Sequence, residues 1–287
     1  MTFTAAPTDT LFVLVHGAWH GAAHWGPTQR SLAALGASSV ALDLPGHGFA
    51  APLPSGYLAA KQPGLRTEKS RSAAVTMDEC ADAVLETLRG VREHARNVVL
   101  VAHSAGGGPA SLAAERAPAL VDRTVYLSAF VPGGRPRFYD YLSAPENAGA
   151  LGGGLPVADP DEVGALRINP VSTDPDYVEE LRRTHYHDTP ADRFDRWRTA
   201  MSPDLPMAVP SSPVVLTPQG WGRLPRTFLR CADDRSLPAA VQDLMIAEAD
   251  AAFPDNPFTV RTLPGSHSPF AARPGELAAA LTSVRSS

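Results

Sequence analysis

A serine stands in a glycine-rich turn directly after an apolar run of the sequence. The run is NVVLV, residues 97–101, and the turn is AHSAGG, with Ser104 near its centre. A serine hydroxyl is a weak nucleophile at neutral pH, so it needs a base within hydrogen-bond distance and donors for the oxyanion that forms. A small-x-Ser-x-Gly pattern between a strand and a helix is typical of a sharp turn that presents a nucleophile. The sequence therefore predicts that Ser104 attacks a substrate.

Two later segments carry the residue types that such a serine requires. His267 follows the last apolar run, in the segment Leu263-Pro-Gly-Ser-His267, and we predict that it takes the serine proton. Asp233 and Asp234 follow an earlier run, residues 227–230, and both are candidates to orient the imidazole. Together these residues provide the parts of a serine, acid and histidine triad, which favours acyl transfer.

Backbone N–H groups are the expected donors to the oxyanion. We expect one from Ala105, the residue after the nucleophile, and one from residues 16–20, HGAWH, here named the first-strand loop. Gly17 in this loop allows the backbone to approach a substrate closely. His16, His20 and His24 have the spacing of metal ligands on a helix, but glycines interrupt the segment, and we predict no metal site.

The elements that must position these residues alternate between two patterns. Continuous apolar runs, rather than alternating ones, are typical of strands buried on both faces of a parallel sheet. Helical spacings separate them, with a capping box of Thr76 and Glu79 before one helix. The fold class is therefore α/β, a mostly parallel doubly wound sheet that binds ligands beyond the carboxyl ends of its strands. The six predicted strands are residues 11–15, 37–42, 98–101, 124–127, 227–230 and 258–263, and the five helices are 25–35, 77–91, 105–117, 238–252 and 274–284.

Two segments interrupt this alternation. Residues 49–75 are rich in Pro, Gly and Ala and are expected to form a long loop. Residues 135–223 separate the fourth and fifth predicted strands and include two expected helices, 176–184 and 191–201. We predict a core of residues 1–134 and 224–287 with 135–223, here named the cap segment, inserted as a lid over the site. His185 and His187 of this segment are expected to be exposed.

The composition limits the classes of partner that the protein is expected to bind. The net charge is −5, and no basic run or Lys/Arg cluster indicates a nucleic-acid or anionic-membrane surface. No run of residues is long and apolar enough for a membrane span, and the N-terminus lacks the basic region of a signal peptide. A cytoplasmic protein with a small-molecule substrate is the expectation. The residues expected to line its substrate pocket are Trp19, His103, Trp197 and Trp221.

Several segments together resemble the α/β-hydrolase superfamily. They are VHGAWHG at 15–21, LDLPGHG at 42–48, the serine turn, CADDR at 231–235 and GSH at 265–267. They are most similar to the branch of plant-type methylesterases and hydroxynitrile lyases, with bacterial esterase relatives, over residues 10–132 and 225–285. The resemblance implies an α/β-hydrolase fold and the triad Ser104, Asp234 and His267. Asp234 is implied over Asp233 because the acid of the family typically precedes the arginine of this segment.

The resemblance also narrows the reaction. It implies oxyanion donors at Ala18 and Ala105 and no cofactor. Hydroxynitrile lyases of this branch use a threonine after the first-strand histidine, where this chain has Gly17, and a lysine near the catalytic histidine, where it has none. The implied function is a serine hydrolase that cleaves a carboxylic ester of a small, mostly apolar molecule through an acyl-enzyme. A lactonase, lipase or thioesterase of specialised metabolism is the alternative, ahead of a non-catalytic binding protein or a lyase.

Overall fold

The centre of the molecule is a sheet of six parallel strands. A computed structural model describes residues 8–284 of the chain. The strands lie in the order β2-β1-β3-β4-β7-β8, and the predicted α/β fold class is confirmed. All six apolar runs form strands of this sheet, with ends that differ by a few residues from the predicted ones. The bounds are β1 Thr8–Val15, β2 Ser38–Leu42, β3 Ala95–His103, β4 Arg123–Leu127, β7 Arg226–Cys231 and β8 Thr259–Leu263.

Helices cover both faces of this sheet. Strand residues alternate between the faces, so Val13 and Val15 pack beneath the helices Met77–Arg92, Gly107–Arg116 and Ala239–Ala252. Phe12 and Leu14 pack on the other face, against the helices Gly26–Ala34 and Pro274–Ser283. All five helices predicted for the core are present, and Thr76 with Glu79 forms the expected capping box. The helices are α1 Gly26–Ala34, α2 Met77–Arg92, α3 Gly107–Arg116, α4 Phe138–Leu142, α5 Pro160–Val163, α6 Pro175–His185, α7 Ala191–Arg198, α8 Ala208–Ser211, α9 Ala239–Ala252, α10 Pro269–Ala272 and α11 Pro274–Ser283.

The strand register brings the predicted site residues to one edge of the sheet. Val15, the last residue of β1, pairs with Leu42 of β2 and Ala102 of β3. The carboxyl ends of these parallel strands are therefore level, and the segments that follow them leave the sheet side by side. The turn with Ser104, the first-strand loop and the acidic turn after β7 all lie at this edge, where doubly wound sheets bind ligands.

The cap segment contributes helices and a second, small sheet. The helices expected at 176–184 and 191–201 are present as α6 and α7, although α7 ends three residues earlier. The sequence did not predict the antiparallel pair β5 Ala165–Arg167 and β6 Asp204–Pro206. The segment joins the core directly, since Trp19 Nε1 donates to the Leu166 carbonyl at 2.8 Å and Ser202 N donates to the Trp19 carbonyl at 2.7 Å. Its standing as a separate lid stays a prediction.

A buried ion pair ties the small sheet to the long loop of residues 49–75. Arg167 of β5 donates to both carboxylate oxygens of Asp204 on β6, at 2.6 and 2.7 Å, and both side chains are buried. The same guanidinium donates to the carbonyls of Leu65 and Glu68 at 3.1 and 2.7 Å. This loop forms turns and one short 3₁₀ segment, as its composition predicted. Among residues 8–284, no helix has the length and apolar character needed to cross a membrane.

Candidate active site

Ser104 lies on a sharp turn between β3 and α3. Its φ is 51°, in the left-handed region that residues other than glycine rarely adopt. A 3₁₀ turn, Ser104–Gly106, leads directly into α3, and Phe130 N donates to the Ser104 carbonyl at 3.0 Å, which holds the turn from the next strand. Strained backbone of this kind persists only where the surroundings fix it, and it is concentrated at functional sites.

Close backbone packing explains the glycines around this serine. A Cβ on Gly106 would collide with the carbonyl oxygen of His16, because the first-strand loop lies against the start of α3. A Cβ on Gly17 would stand 2.6 Å from the Cβ of Ser104. Gly17 was expected to allow approach of a substrate, but the group it admits is the serine itself. Both glycines therefore keep Ser104 next to the loop that is expected to bind the oxyanion.

Asp234 and His267 form a buried pair beside the serine. His267 Nδ1 donates to Asp234 Oδ2 at 2.6 Å, and both residues are buried. Asp234 Oδ1 accepts from the backbone N–H groups of Ser236 and Leu237, each at 2.8 Å. Ser128 Oγ also donates to Asp234 Oδ2. Four donors on one carboxylate hold its orientation, and they leave Nε2 as the ring atom of His267 that is available to a nucleophile.

Asp233 has a different role from its neighbour. It is exposed, and its Oδ2 accepts the backbone N–H of Gly265 at 3.0 Å, which ties the acidic turn to the histidine loop. Of the two candidates, only Asp234 contacts His267 through its side chain in the described structure. Ser128 was missed from the sequence, although its place directly after β4 puts it at the same edge of the sheet as the other site residues.

His103 supports the histidine loop instead of lining a pocket. Its Nε2 donates to the backbone carbonyl of His267 at 2.9 Å, and the two rings lie 4.6 Å apart. Burial lowers the pKa of His103 well below its usual value, so the imidazole is neutral and its proton lies on Nε2. His103 does not line the cavity that contains Ser104, because its ring is directed to the backbone of His267.

The first-strand loop is held in place through a second histidine. His20 Nδ1 donates to the Ala18 carbonyl at 2.6 Å, and burial lowers the pKa of His20 well below its usual value. A neutral ring protonated on Nδ1 accepts at Nε2, so the Tyr186 hydroxyl donates to it, at 2.6 Å. The cap segment thereby fixes the peptide that directly follows the predicted oxyanion donor, Ala18. The second predicted donor, Ala105, is buried at the start of α3 beside Ser104.

A small cavity of about 90 Å³ connects these groups. Ser104, His267 and Ala18 reach it from the core, and Trp19 and His185 also line it. Trp19 is thus placed as expected for a pocket residue. The remaining walls are mostly apolar side chains from the cap segment and from the start of the segment after β7, namely Phe138, Leu142, Leu166, Leu205, Pro210 and Leu237.

Two tryptophans that were expected in the pocket lie elsewhere. Trp221 is fully buried in the core under α3, where its Nε1 donates to the Tyr126 hydroxyl at 2.6 Å and the Arg226 guanidinium covers its ring at 4.2 Å. Trp197 packs against Tyr186 and Phe270 on the outer side of the first-strand loop. Neither lines the cavity that contains Ser104. An aromatic ring in the sequence does not distinguish a pocket wall from core packing.

The site is surrounded by buried histidines. Burial lowers the pKa of His24 and of His47 to about 4. His185 is also buried, so the expectation that it is exposed is wrong, whereas His187 is half-buried and donates to the Asp233 carbonyl at 2.9 Å. Despite this density, no group of three or more His, Cys, Asp or Glu side chains within residues 8–284 is arranged to hold a metal ion.

Comparison with known proteins identifies the family to which the chain belongs. The profile of the Alpha/beta hydrolase family matches residues 12–280. Methylesterase 2 of Arabidopsis thaliana is 26% identical over 240 residues, 82% of either chain, and the alpha-hydroxynitrile lyase of the same plant is 32% identical over 121 residues, 42% of this chain and 40% of the lyase. A pyrethroid hydrolase from Sphingobium faniae JZ-2 superposes with a TM-score of 0.72 at 22% identity, covering 98% of both chains. The chain belongs to the alpha/beta hydrolase family.

Proposed function

We propose that the protein is a serine hydrolase that cleaves a carboxylic ester of a small, mostly apolar molecule. The observation that carries this proposal is the buried contact of 2.6 Å between His267 and Asp234 at the cavity that also contains Ser104. A binding protein has no need of this arrangement. The sequence relatives named as methylesterases support the choice of an ester among the substrates of the family.

The proposed reaction begins with attack of Ser104 Oγ on the ester carbonyl carbon. His267 Nε2 takes the serine proton, and Asp234 stabilises the imidazolium that results. The backbone N–H groups of Ala18 and Ala105 bind the oxyanion of the tetrahedral intermediate. When this intermediate collapses, the C–O bond to the alcohol breaks and the imidazolium protonates the leaving oxygen. Water, deprotonated by His267, then hydrolyses the acyl-enzyme and restores the serine.

The cavity sets an expectation for substrate size. Its volume of about 90 Å³ is well below the ~300–1,000 Å³ of pockets that hold drug-sized ligands. A short acyl or alcohol group fits, whereas a long chain requires the cap segment to move. Apolar walls favour a group without charge, because burying an unpaired charge is costly.

The test is hydrolysis of p-nitrophenyl acetate, butyrate and octanoate by the parent, by Ser104→Ala and by a control, Ser55→Ala, at an exposed loop position. We expect kcat/KM to fall with chain length and the Ser104→Ala variant to lose activity by about 10⁴-fold or more. The control should retain the parent rate. Equal rates for the parent and Ser104→Ala would refute the proposal. Thioester and lactone substrates measured in parallel distinguish an esterase from the alternative hydrolases that use the same triad.

A further inference from the structure

His185 lines the catalytic cavity from the cap segment. It is the last residue of α6 and is only 4% exposed. Its ring lies 5.6 Å from the ring of His267 and 5.9 Å from the ring of Trp19, centroid to centroid. A residue from outside the predicted core therefore reaches the position where a bound substrate would contact both the base and the first-strand loop.

His185 differs from its neighbours in its hydrogen bonds. Both ring nitrogens are buried, and within residues 8–284 neither has a hydrogen-bond partner. By contrast, both nitrogens of His20 are engaged, one by a backbone carbonyl and the other by a hydroxyl. Buried polar atoms are nearly always paired, so two unpaired ring nitrogens on a residue that lines a cavity point to a partner that arrives with the ligand.

The protonation state of His185 defines what it can bind. Burial, and then the neighbouring His267, lower the pKa of His185 to about 3. At neutral pH the ring is therefore uncharged, with one N–H donor and one acceptor nitrogen. Such a ring pairs with a hydroxyl, which can donate or accept, or with a carbonyl, which accepts from the N–H.

Its place beside His267 indicates which half of an ester it contacts. Asp234 occupies Nδ1 of His267, so the leaving oxygen must approach Nε2 to within hydrogen-bond distance, about 3 Å. The atoms that follow this oxygen belong to the alcohol half, and the His185 ring, with its centroid 5.6 Å from that of His267, is within reach of them. Trp19 offers only its ring face here, because its Nε1 already donates to the Leu166 carbonyl.

We propose that His185 is a specificity-determining residue that hydrogen-bonds a hydroxyl or carbonyl group on the alcohol half of the ester. This proposal rests on the proposed ester hydrolysis. It predicts that the preferred substrates are esters of short alcohols that carry a hydroxyl or carbonyl group a few bonds from the leaving oxygen. In a cavity with apolar walls, this one contact sets the orientation of the alcohol.

Matched substrates test the contact directly. 2-Hydroxyethyl acetate and propyl acetate have the same number of heavy atoms and differ only in a terminal hydroxyl in place of a methyl group. The release of acid from each ester is measured by pH-stat titration. We expect the parent to prefer the hydroxyethyl ester by about tenfold in kcat/KM. His185→Phe should remove this preference. His185→Gln keeps a donor and an acceptor and should retain most of the preference. The control His94→Phe, at an exposed position, should keep it in full.

The ratio of kcat/KM for the two esters distinguishes a loss of recognition from a loss of folding, because a misfolded site hydrolyses both esters more slowly. A parent that hydrolyses both esters equally, or a His185→Phe variant that keeps the parent ratio, would overturn the proposal. So would an effect confined to an acyl-side pair, methyl 3-hydroxypropanoate against methyl butanoate. If both esters are hydrolysed with dependence on Ser104 but the ratio is flat, only the role of His185 fails. If the parent hydrolyses no ester, the proposed function itself fails.

Discussion

Mild acid is predicted to unfold this protein, because six histidines around the active-site edge are held neutral in the folded state. Burial lowers the pKa of each of them below the ordinary value of 6.5, to about 4 for two and about 3 for another. They also face one another, with the rings of His20 and His24 4.6 Å apart and those of His16 and His47 5.0 Å apart. Protonation of one ring would therefore oppose protonation of the next. The six are His16, His20, His24, His47, His103 and His185.

The sign and size of the effect follow from proton binding. Below pH 6.5 these histidines take up protons in the unfolded chain but not in the folded one, so the free energy of unfolding falls as the pH falls toward the folded pKa values. At about pH 5, roughly 1.5 units below the unfolded pKa, each neutral histidine costs about 2 kcal/mol. His24, His47 and His185 together remove about 6 kcal/mol, and the other three add to this. A domain has only about 5–15 kcal/mol of stability, so unfolding near pH 5 is expected.

Urea unfolding followed by tryptophan fluorescence, repeated between about pH 7.5 and pH 5, measures this loss. His47→Leu removes one titrating ring and should reduce the difference in unfolding free energy between these two pH values by about 2 kcal/mol. The control is Ser55→Ala, at an exposed loop position, which removes no titrating group and should leave the pH dependence of the parent unchanged. A urea midpoint that stays constant from pH 7.5 to pH 5 would refute the reasoning.

Three further predictions follow from single contacts. Asp234→Asn should lower kcat by about 10⁴-fold and Asp233→Asn by less than about tenfold, because only Asp234 contacts the His267 imidazole. Initial rates of p-nitrophenyl acetate hydrolysis measure both effects, and similar losses in the two variants would contradict the prediction. Asp204→Asn leaves its buried arginine partner with an unpaired charge and should cost about 3–5 kcal/mol in urea unfolding, so a change below about 1 kcal/mol would contradict it. Gly106→Ala forces a methyl group into the first-strand loop and should lower both Tm and activity, whereas Gly90→Ala, where the added carbon has open space, should lower neither.

The sheet and the triad were predictable because both leave local signals. Each strand is a continuous apolar run, since both faces of the sheet are covered, and each site residue comes directly after such a run. The positions of Ser104 and His267 directly after strands therefore predict that both lie at one edge of the sheet. The choice of Asp234 over Asp233 rested on family resemblance, and the hydrogen bond to His267 now supports it independently.

The cavity walls were not predictable in the same way. His103, Trp197 and Trp221 were expected in the pocket, but they pack against the histidine loop, the outer side of the first-strand loop and the core, respectively. His185 was expected at the surface and lines the cavity. The positions of His185 and Trp197 depend on how the cap segment packs on the core, whereas that of His103 depends on its contact with the His267 carbonyl. Contacts between residues that are distant in the chain determine where such side chains lie.

The most direct test of the account is whether Ser104 becomes covalently modified by a reagent that requires an activated serine. The parent, Ser104→Ala and Ser55→Ala would each be incubated with a fluorophosphonate and measured by intact-protein mass spectrometry, with the modified peptide then sequenced. The account predicts one adduct on the parent and on Ser55→Ala, located on Ser104, and none on Ser104→Ala. An unmodified parent, or an adduct that persists in Ser104→Ala, would contradict the claim that this serine is the nucleophile.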